Sequence, residues 1–216
     1  FGGCTELMIH GCSNVGSIEF DLNILKLMEE CLDADLEACS SFERLLECYE
    51  QRVREAAVFY TQMANRNQQT RAGYHPQLIR TLFVDDCIDR GLSFAAGGAR
   101  NNWSVVGIAG LANVIDSLSA VRKMVYEDKQ LTARELLAAL HANFEGYDEL
   151  LLALRKCPKF GNDDPEVDRL AERLSSFVYQ EPSRHTPWRG GKFLSSTIMF
   201  VLYGIFGQPV GATPDG

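Results

Sequence analysis

The chain opens with a cysteine delivered by two glycines and followed two positions later by a carboxylate: Phe1-Gly2-Gly3-Cys4-Thr5-Glu6. Glycine adopts backbone angles closed to other residues and lets the chain come close to a ligand, so Gly2-Gly3 suits a tight loop tip that presents one thiol. In extended backbone, residues two apart face the same side. The Cys4 sulfur and the Glu6 carboxylate would then address one substrate together, the carboxylate placed for general acid–base work. A buried or merely exposed cysteine would need the same residues, so the loop alone leaves chemistry and packing both open.

The elements that must position this loop follow in order. Ser13 to Ser17 reads as a turn, with Asn14 and Gly16 supplying permissive angles. Leu22, Ile24, Leu25, Leu27 and Met28 then form a broad apolar face, predicting a helix to about Leu32. Ser40 and Glu43 have capping-box spacing. Behind them Phe42, Leu45, Leu46, Tyr49, Val53, Ala56, Ala57, Tyr60 and Met63 keep steps of three and four, a long amphipathic helix that fades in the polar Asn65 to Thr70. A short helix is expected over Pro76 to Arg90, ended by Gly91. Trp103 to Ile108 reads as a buried strand, and Gly110 opens a helix to about Tyr126. Strand, glycine turn and helix in succession indicate an α/β unit. Thr132 and Glu135 form a second capping box for a helix to about Phe144, and another helix covers Tyr147 to Lys156. Asp164 and Pro165 fit the N-cap and first turn of a further helix. The Asp163-Asp164 pair could imitate a metal site, but capping accounts for it. Phe193 to Tyr203 has strand-like stretches, and the chain closes in the turn-rich Gly211 to Gly216.

Composition narrows the classes. The 216 residues are 46% hydrophobic and 23% charged, the make-up of a soluble globular protein with one real core. No apolar run is long enough to span a bilayer, and no basic leader precedes an apolar stretch, so neither membrane nor export is expected. A net charge of −8 without a Lys/Arg cluster argues against nucleic acid. The seven cysteines include no C-x-x-C pair, which points to reduced thiols in a cytoplasmic protein and to no metal site. Cys31, Cys39 and Cys48 fall in helical patterns and read as small buried hydrophobes. Gly97-Gly98 could cradle a phosphate, but no Walker lysine follows and the Rossmann spacing is absent.

Several segments together resemble the glycyl radical enzymes of the pyruvate formate-lyase-like superfamily. Gly3-Cys4-Thr5-Glu6 is similar to that family's Gly-Cys-x-Glu loop. Phe83-Val84-Asp85-Asp86-Cys87-Ile88-Asp89-Arg90-Gly91 is similar to its Asp-Asp-Cys-Ile-x-Arg-Gly segment. Gly97 to Arg100, Gly110 to Leu118, Asn143 to Tyr147, Lys159 to Asp164 and Gly211 to Gly216 follow in the expected order. The resemblance spans essentially the whole chain, residues 1–216, as one partial barrel domain. It implies an α/β fold, a helix-rich part of the ten-stranded barrel of that family, incomplete at both ends.

The resemblance also implies a mechanism. Cys4 would be the thiyl residue and Glu6 the neighbouring acid–base. No cofactor is bound. A radical is instead stored on a backbone glycine, installed by a partner activating enzyme that uses an iron–sulfur cluster and S-adenosylmethionine. A small-molecule substrate and a homodimer when complete are further implications. The family's Arg-Val-x-Gly-Tyr loop is absent from these residues; Arg71-Ala72-Gly73-Tyr74 imitates part of it by chance, so the radical glycine is expected outside this chain. Asn101 stands where many members carry an aromatic residue ahead of the Asn102 equivalent. If Asn101 and Asn102 line the substrate pocket, a substrate more polar than usual, or simply a different one, is expected. One thiol and one carboxylate resemble the dehydratases, C–N and C–S lyases and decarboxylases. Pyruvate cleavage of the formate acetyltransferase type uses two adjacent cysteines, and Thr5 follows Cys4 here. A non-catalytic helical accessory protein is the reading from another class. The 216 residues alone are expected to be inactive and to aggregate.

Overall fold

A nine-residue strand, β3 (Asn101–Ala109), is the element around which a parallel sheet is built. The computed structural model describes residues 8–14, 18–197 and 203–216. From Val106 onward every β3 residue is buried, as a strand covered on both faces requires. Strand β1 (Ser13–Asn14) pairs in parallel with its first residues, Ser13 opposite Asn101 and Asn14 opposite Asn102. Strand β4 (Lys192–Ser196) pairs in parallel with Trp103–Gly107. Strand β2 (Ile18–Asn23) is the third neighbour, in the order β1-β3-β2.

Parallel strands need long crossovers, and helices supply them. They are α1 (Ile24–Asp35), α2 (Phe42–Tyr74), α3 (Leu78–Leu82), α4 (Cys87–Arg90), α5 (Leu111–Val121), α6 (Ala133–His141), α7 (Asp148–Arg155), α8 (Pro165–Ser183) and α9 (Tyr203–Gly207). A π-helical turn, Arg122–Glu127, extends α5. Two compact units share these elements. Unit 1 takes the chain before Asn23, Glu55–Ile108 and the stretch starting at Val178; unit 2 takes Asn23–Arg54, Ala109–Phe177 and the C-terminal stretch.

In unit 1, Phe20 of β2 stacks on Tyr60 at 5.7 Å between ring centroids and meets Phe193 of β4 edge-on at 6.0 Å. Beside this apolar cluster lies a buried polar network. The Glu19 carboxylate, with 2% of its side chain exposed, pairs with Arg189 Nη2 at 2.6 Å. The same Nη2 donates to the Trp103 carbonyl at 2.6 Å. Gln68 donates to Ser104 Oγ at 2.9 Å and accepts the Arg189 backbone N–H at 3.2 Å. Burial pulls the Arg189 guanidinium below its usual value, and Glu19 opposes that shift. Each charge is thus paired, which is what makes burying ions tolerable, while Arg189 Nε is buried without a hydrogen-bond partner among the described residues.

Unit 2 is apolar. Ile24, Met28 and Leu32 of α1, Leu45, Leu46 and Tyr49 of α2, and Ile115 and Leu118 of α5 are almost wholly buried. The Tyr49 hydroxyl finds the one partner it needs, donating to the Ile24 carbonyl at 3.2 Å. Burial pushes its phenol well above the ordinary value.

Several expected elements are borne out. The Thr132/Glu135 capping box closes in both directions, Gly110 precedes α5, and Asp164 Oδ1 accepts the Glu166 and Val167 backbone N–H groups. Others are corrected. Ser13 and Asn14 belong to a strand rather than a turn, and Leu22 lies in β2, with the helix starting only at Ile24. The cap of α2 is Ser41, whose Oγ accepts the Arg44 N–H at 3.3 Å, while Glu43 binds Arg173. Helix α2 does not fade at Asn65 but runs to Tyr74. The single helix expected over Pro76 to Arg90 is two, α3 and α4, parted by Asp86 at φ 70°. Tyr203 opens α9 instead of ending a strand.

Candidate active site

Cys4 and Glu6, the expected thiyl and acid–base residues, lie outside the described residues. What is described is the platform on which the chain arrives from that loop, all of it in unit 1. Ile9 to Ser13 make a tight turn, with the Cys12 and Ser13 N–H groups donating to the Ile9 carbonyl. Three attachments hold the segment. The Asn101 N–H donates to the Cys12 carbonyl at 2.9 Å, starting the β1–β3 pairing. The Asp85 N–H donates to the Gly11 carbonyl at 2.6 Å, and the Cys12 thiol donates to Asp85 Oδ2 at 3.6 Å. The Asn14 amide donates to the Phe94 carbonyl at 3.1 Å.

The two motif segments behind β1 form a clasp. Arg100 forks onto Asp86 with two bonds of 2.8 Å, the planar match that guanidinium and carboxylate allow. The guanidinium holds the Asp86 carboxyl below its usual range. Arg90 Nη1 donates to the Gly98 and Ala99 carbonyls at 3.1 and 2.9 Å. A side chain on Gly98 would put its Cβ 2.2 Å from the Leu92 carbonyl oxygen and 2.8 Å from Cys87 Sγ. Glycine is what lets the segment close onto α4. Burial raises the Cys87 thiol above its ordinary value, as expected of a sulfur that packs rather than reacts.

The two asparagines expected in a pocket differ in setting. Asn101 is half-buried at the start of β3. Asn102, 9% exposed, donates its amide to the Gly97 and Ala99 carbonyls at 3.1 and 3.0 Å and so holds the glycine segment closed. Gly191, at φ 81°, lies against this strand: a Cβ there would fall 1.6 Å from the Asn102 carbonyl oxygen. The carboxamide oxygens of Asn14 and Asn102 are both buried and take no hydrogen bond among the described residues. Register places these two residues opposite each other. Sequence reasoning passed over Asn14, treating it as a turn former, and gave no role to Cys12. Asp85, Asp86 and Arg100 were named only as parts of motifs. The missing signal was the strand at Ser13–Asn14, too short to show a period.

Among the described residues no helix is long and apolar enough to cross a membrane, and no three His, Cys, Asp or Glu side chains gather as metal ligands.

Comparison with known proteins agrees with this architecture. The family model described as "Pyruvate formate lyase-like" matches residues 2–207. Trans-4-hydroxy-L-proline dehydratase of Clostridioides difficile is 34% identical over 146 residues, covering 67% of this chain and 18% of that protein. Isethionate sulfite-lyase of Bilophila wadsworthia is 35% identical over 152 residues, covering 68% and 18%. The glycerol-bound B12-independent glycerol dehydratase of Clostridium butyricum superposes with a TM-score of 0.92 at 28% identity, covering 99% of this chain and 29% of that one. The chain therefore spans less than a third of the length of each, and its mixed α/β fold with a parallel sheet is part of theirs. This chain belongs to the pyruvate formate lyase-like family of glycyl radical enzymes.

Proposed function

We propose that these residues carry the hydrogen-abstracting cysteine of a glycyl radical enzyme that eliminates a leaving group from a small organic substrate, by dehydration, by C–N or C–S cleavage, or by decarboxylation. The observation that carries this reading is the family match across residues 2–207, a range that takes in Gly3-Cys4-Thr5-Glu6; the proteins this chain is similar to include two dehydratases and a sulfite-lyase. A radical stored on a glycine outside these residues, installed by an S-adenosylmethionine-dependent activating enzyme, supplies the one-electron chemistry. Cys4 gives its S–H hydrogen to that radical and then takes hydrogen from a substrate carbon. Glu6 accepts a proton from a substrate hydroxyl as the neighbouring bond breaks. A thiyl must start from a neutral thiol, and a carboxylate two residues away disfavours the thiolate. The clasp of Asp85, Asp86, Arg90 and Arg100 fixes the strand onto which the loop runs. The unpartnered oxygens of Asn14 and Asn102 support the reading of Asn102 as a pocket residue that accepts a substrate O–H or N–H. Asn101 makes that pocket more polar than the family's usual aromatic residue would.

Two variants of the complete enzyme test this. Cys4→Ser is expected to abolish turnover while electron paramagnetic resonance still detects the glycyl radical; retained turnover would remove Cys4 from the mechanism. Glu6→Gln keeps the shape but not the base, and is expected to slow product formation by roughly 100- to 10,000-fold. Deuterium should still exchange between substrate and Cys4 in that variant. Normal turnover by Glu6→Gln would favour pyruvate cleavage over elimination. A full-length protein that no activating enzyme can charge would favour the non-catalytic accessory role.

A further inference from the structure

Away from the candidate site, the turn between α1 and α2 in unit 2 brings two thiols together. Cys39 follows the end of α1 and Cys48 stands in the second turn of α2, with their sulfur atoms 3.9 Å apart and neither in a disulfide. Other cysteines of this unit are differently occupied. Cys31 is buried with its sulfur toward the Leu45 carbonyl at 3.9 Å, and Cys157 donates to the Ala153 carbonyl at 3.6 Å. The pair sits in a braced setting. Asp35, at the end of α1, accepts from Arg52 Nε and Nη2 at 3.2 and 2.8 Å, tying the two helices together. The Tyr126 hydroxyl donates to the Cys39 carbonyl at 3.2 Å, and its ring meets Phe42 edge-on at 6.2 Å. Arg44, one turn before Cys48, places positive charge beside both sulfurs. Bonded sulfurs stand about 2 Å apart, so the two must approach by about that amount for a bond to form.

We propose that Cys39 and Cys48 are a reversible oxidation site, a dithiol that a small-molecule disulfide converts into an intramolecular bond stapling the α1–α2 turn. Cys48 is the more exposed of the two. Its thiolate attacks one sulfur of the small disulfide, releasing one small thiolate and leaving a mixed disulfide on Cys48. Cys39 then loses its proton and attacks the Cys48 sulfur, expelling the second small thiolate. Two protein thiols are oxidised by two electrons, the small disulfide is reduced to two thiols, and the two protons end on those thiols. Burial and the neighbouring Cys48 push the Cys39 thiol up to about 11, which makes it the resolving rather than the attacking group. A small thiolate that attacks the Cys39–Cys48 bond re-forms the mixed disulfide, and a second one releases the small disulfide and restores both protein thiols.

The full chain is reduced, equilibrated without oxygen in glutathione buffers of rising disulfide fraction, alkylated and cut with trypsin. Cleavage after Lys26, Arg44 and Arg52 puts the two cysteines on separate peptides, Leu27–Arg44 and Leu45–Arg52. The expected product is these peptides joined, lighter by about 2 Da than the sum of the free thiols, with fragmentation placing the bond on Cys39 and not Cys31. Cys31→Ser should keep the link and Cys48→Ser should lose it. A stable glutathione adduct on Cys48 with Cys39 alkylated, a link to any other cysteine, or both thiols still alkylated in the most oxidising buffer would each overturn the assignment.

Discussion

Asp86 and Arg100 form a well-aligned ion pair at the surface, with 60% of the arginine and 26% of the aspartate side chain exposed. Such pairs add little to stability, so the value of this one is positional: it fixes the backbone at a left-handed Asp86 between α3 and α4. Its signature is a titration. Because Arg100 holds the Asp86 carboxyl below 3.8, the pair's contribution is complete above the unfolded value of about 3.9 and is lost as pH falls through the lower folded value. Carboxyl-detected NMR should find Asp86 titrating below an ordinary aspartate, and Arg100→Gln should return it to the usual range; an unmoved Asp86 would mean that the clasp is open in solution. Cys4 and Glu6 lie outside the described residues, while the Asp85–Gly91 and Gly97–Arg100 segments were legible in the sequence as motif members. Their mutual contacts were not, because Asp86 meets Arg100 and Arg90 meets Ala99 only after the chain turns back through Phe94.

At the level of elements, the informative failures share a cause. The inward stripe of α2 passes through Ala57, Thr61, Ala64 and Gln68, each buried to 1% exposure or less. Its steps of three and four never break; only its chemistry changes from apolar to polar, because it faces Ser104 and Arg189. A reading by hydrophobicity therefore ends the helix too early. Likewise β2 runs directly into α1, its last residue Asn23 capping the helix with its side chain. Leu22 thus joins Ile24 and Leu25 in what looks like one helical face. Caps with a single possible partner were readable, as at Thr132 and Asp164. Asp164→Ala should cost about 1 kcal/mol in urea unfolding, and Asp164→Asn should recover most of it. Gly191→Ala should cost more, above about 2 kcal/mol, since it adds left-handed strain to the displacement of Asn102. Equal losses for the two alanines would show that β4 shifts freely away from β3.

For the molecule as a whole, the sequence carried the family and the α/β class, while surface exposure became visible only in three dimensions. Leu78, Ile79, Leu82, Phe83 and Ile88 on α3, α4 and the turn between them are 64–78% exposed, more than scattered surface apolar residues explain. The isolated 216-residue chain should self-associate through them. Sedimentation velocity should show association that weakens when Ile79→Lys and Phe83→Asp are combined; a monomeric parent chain would contradict this. The three-part make-up of unit 1 has a temporal side as well. Trp103 of β3 meets Lys192 of β4 across roughly ninety intervening residues, and contacts of such high order are slow to form. During synthesis β3 leaves the ribosome long before its partner exists, while α1 and α2 are already complete. The apolar edge of β3 must therefore wait, and that interval is when the nascent chain is most exposed to misassembly.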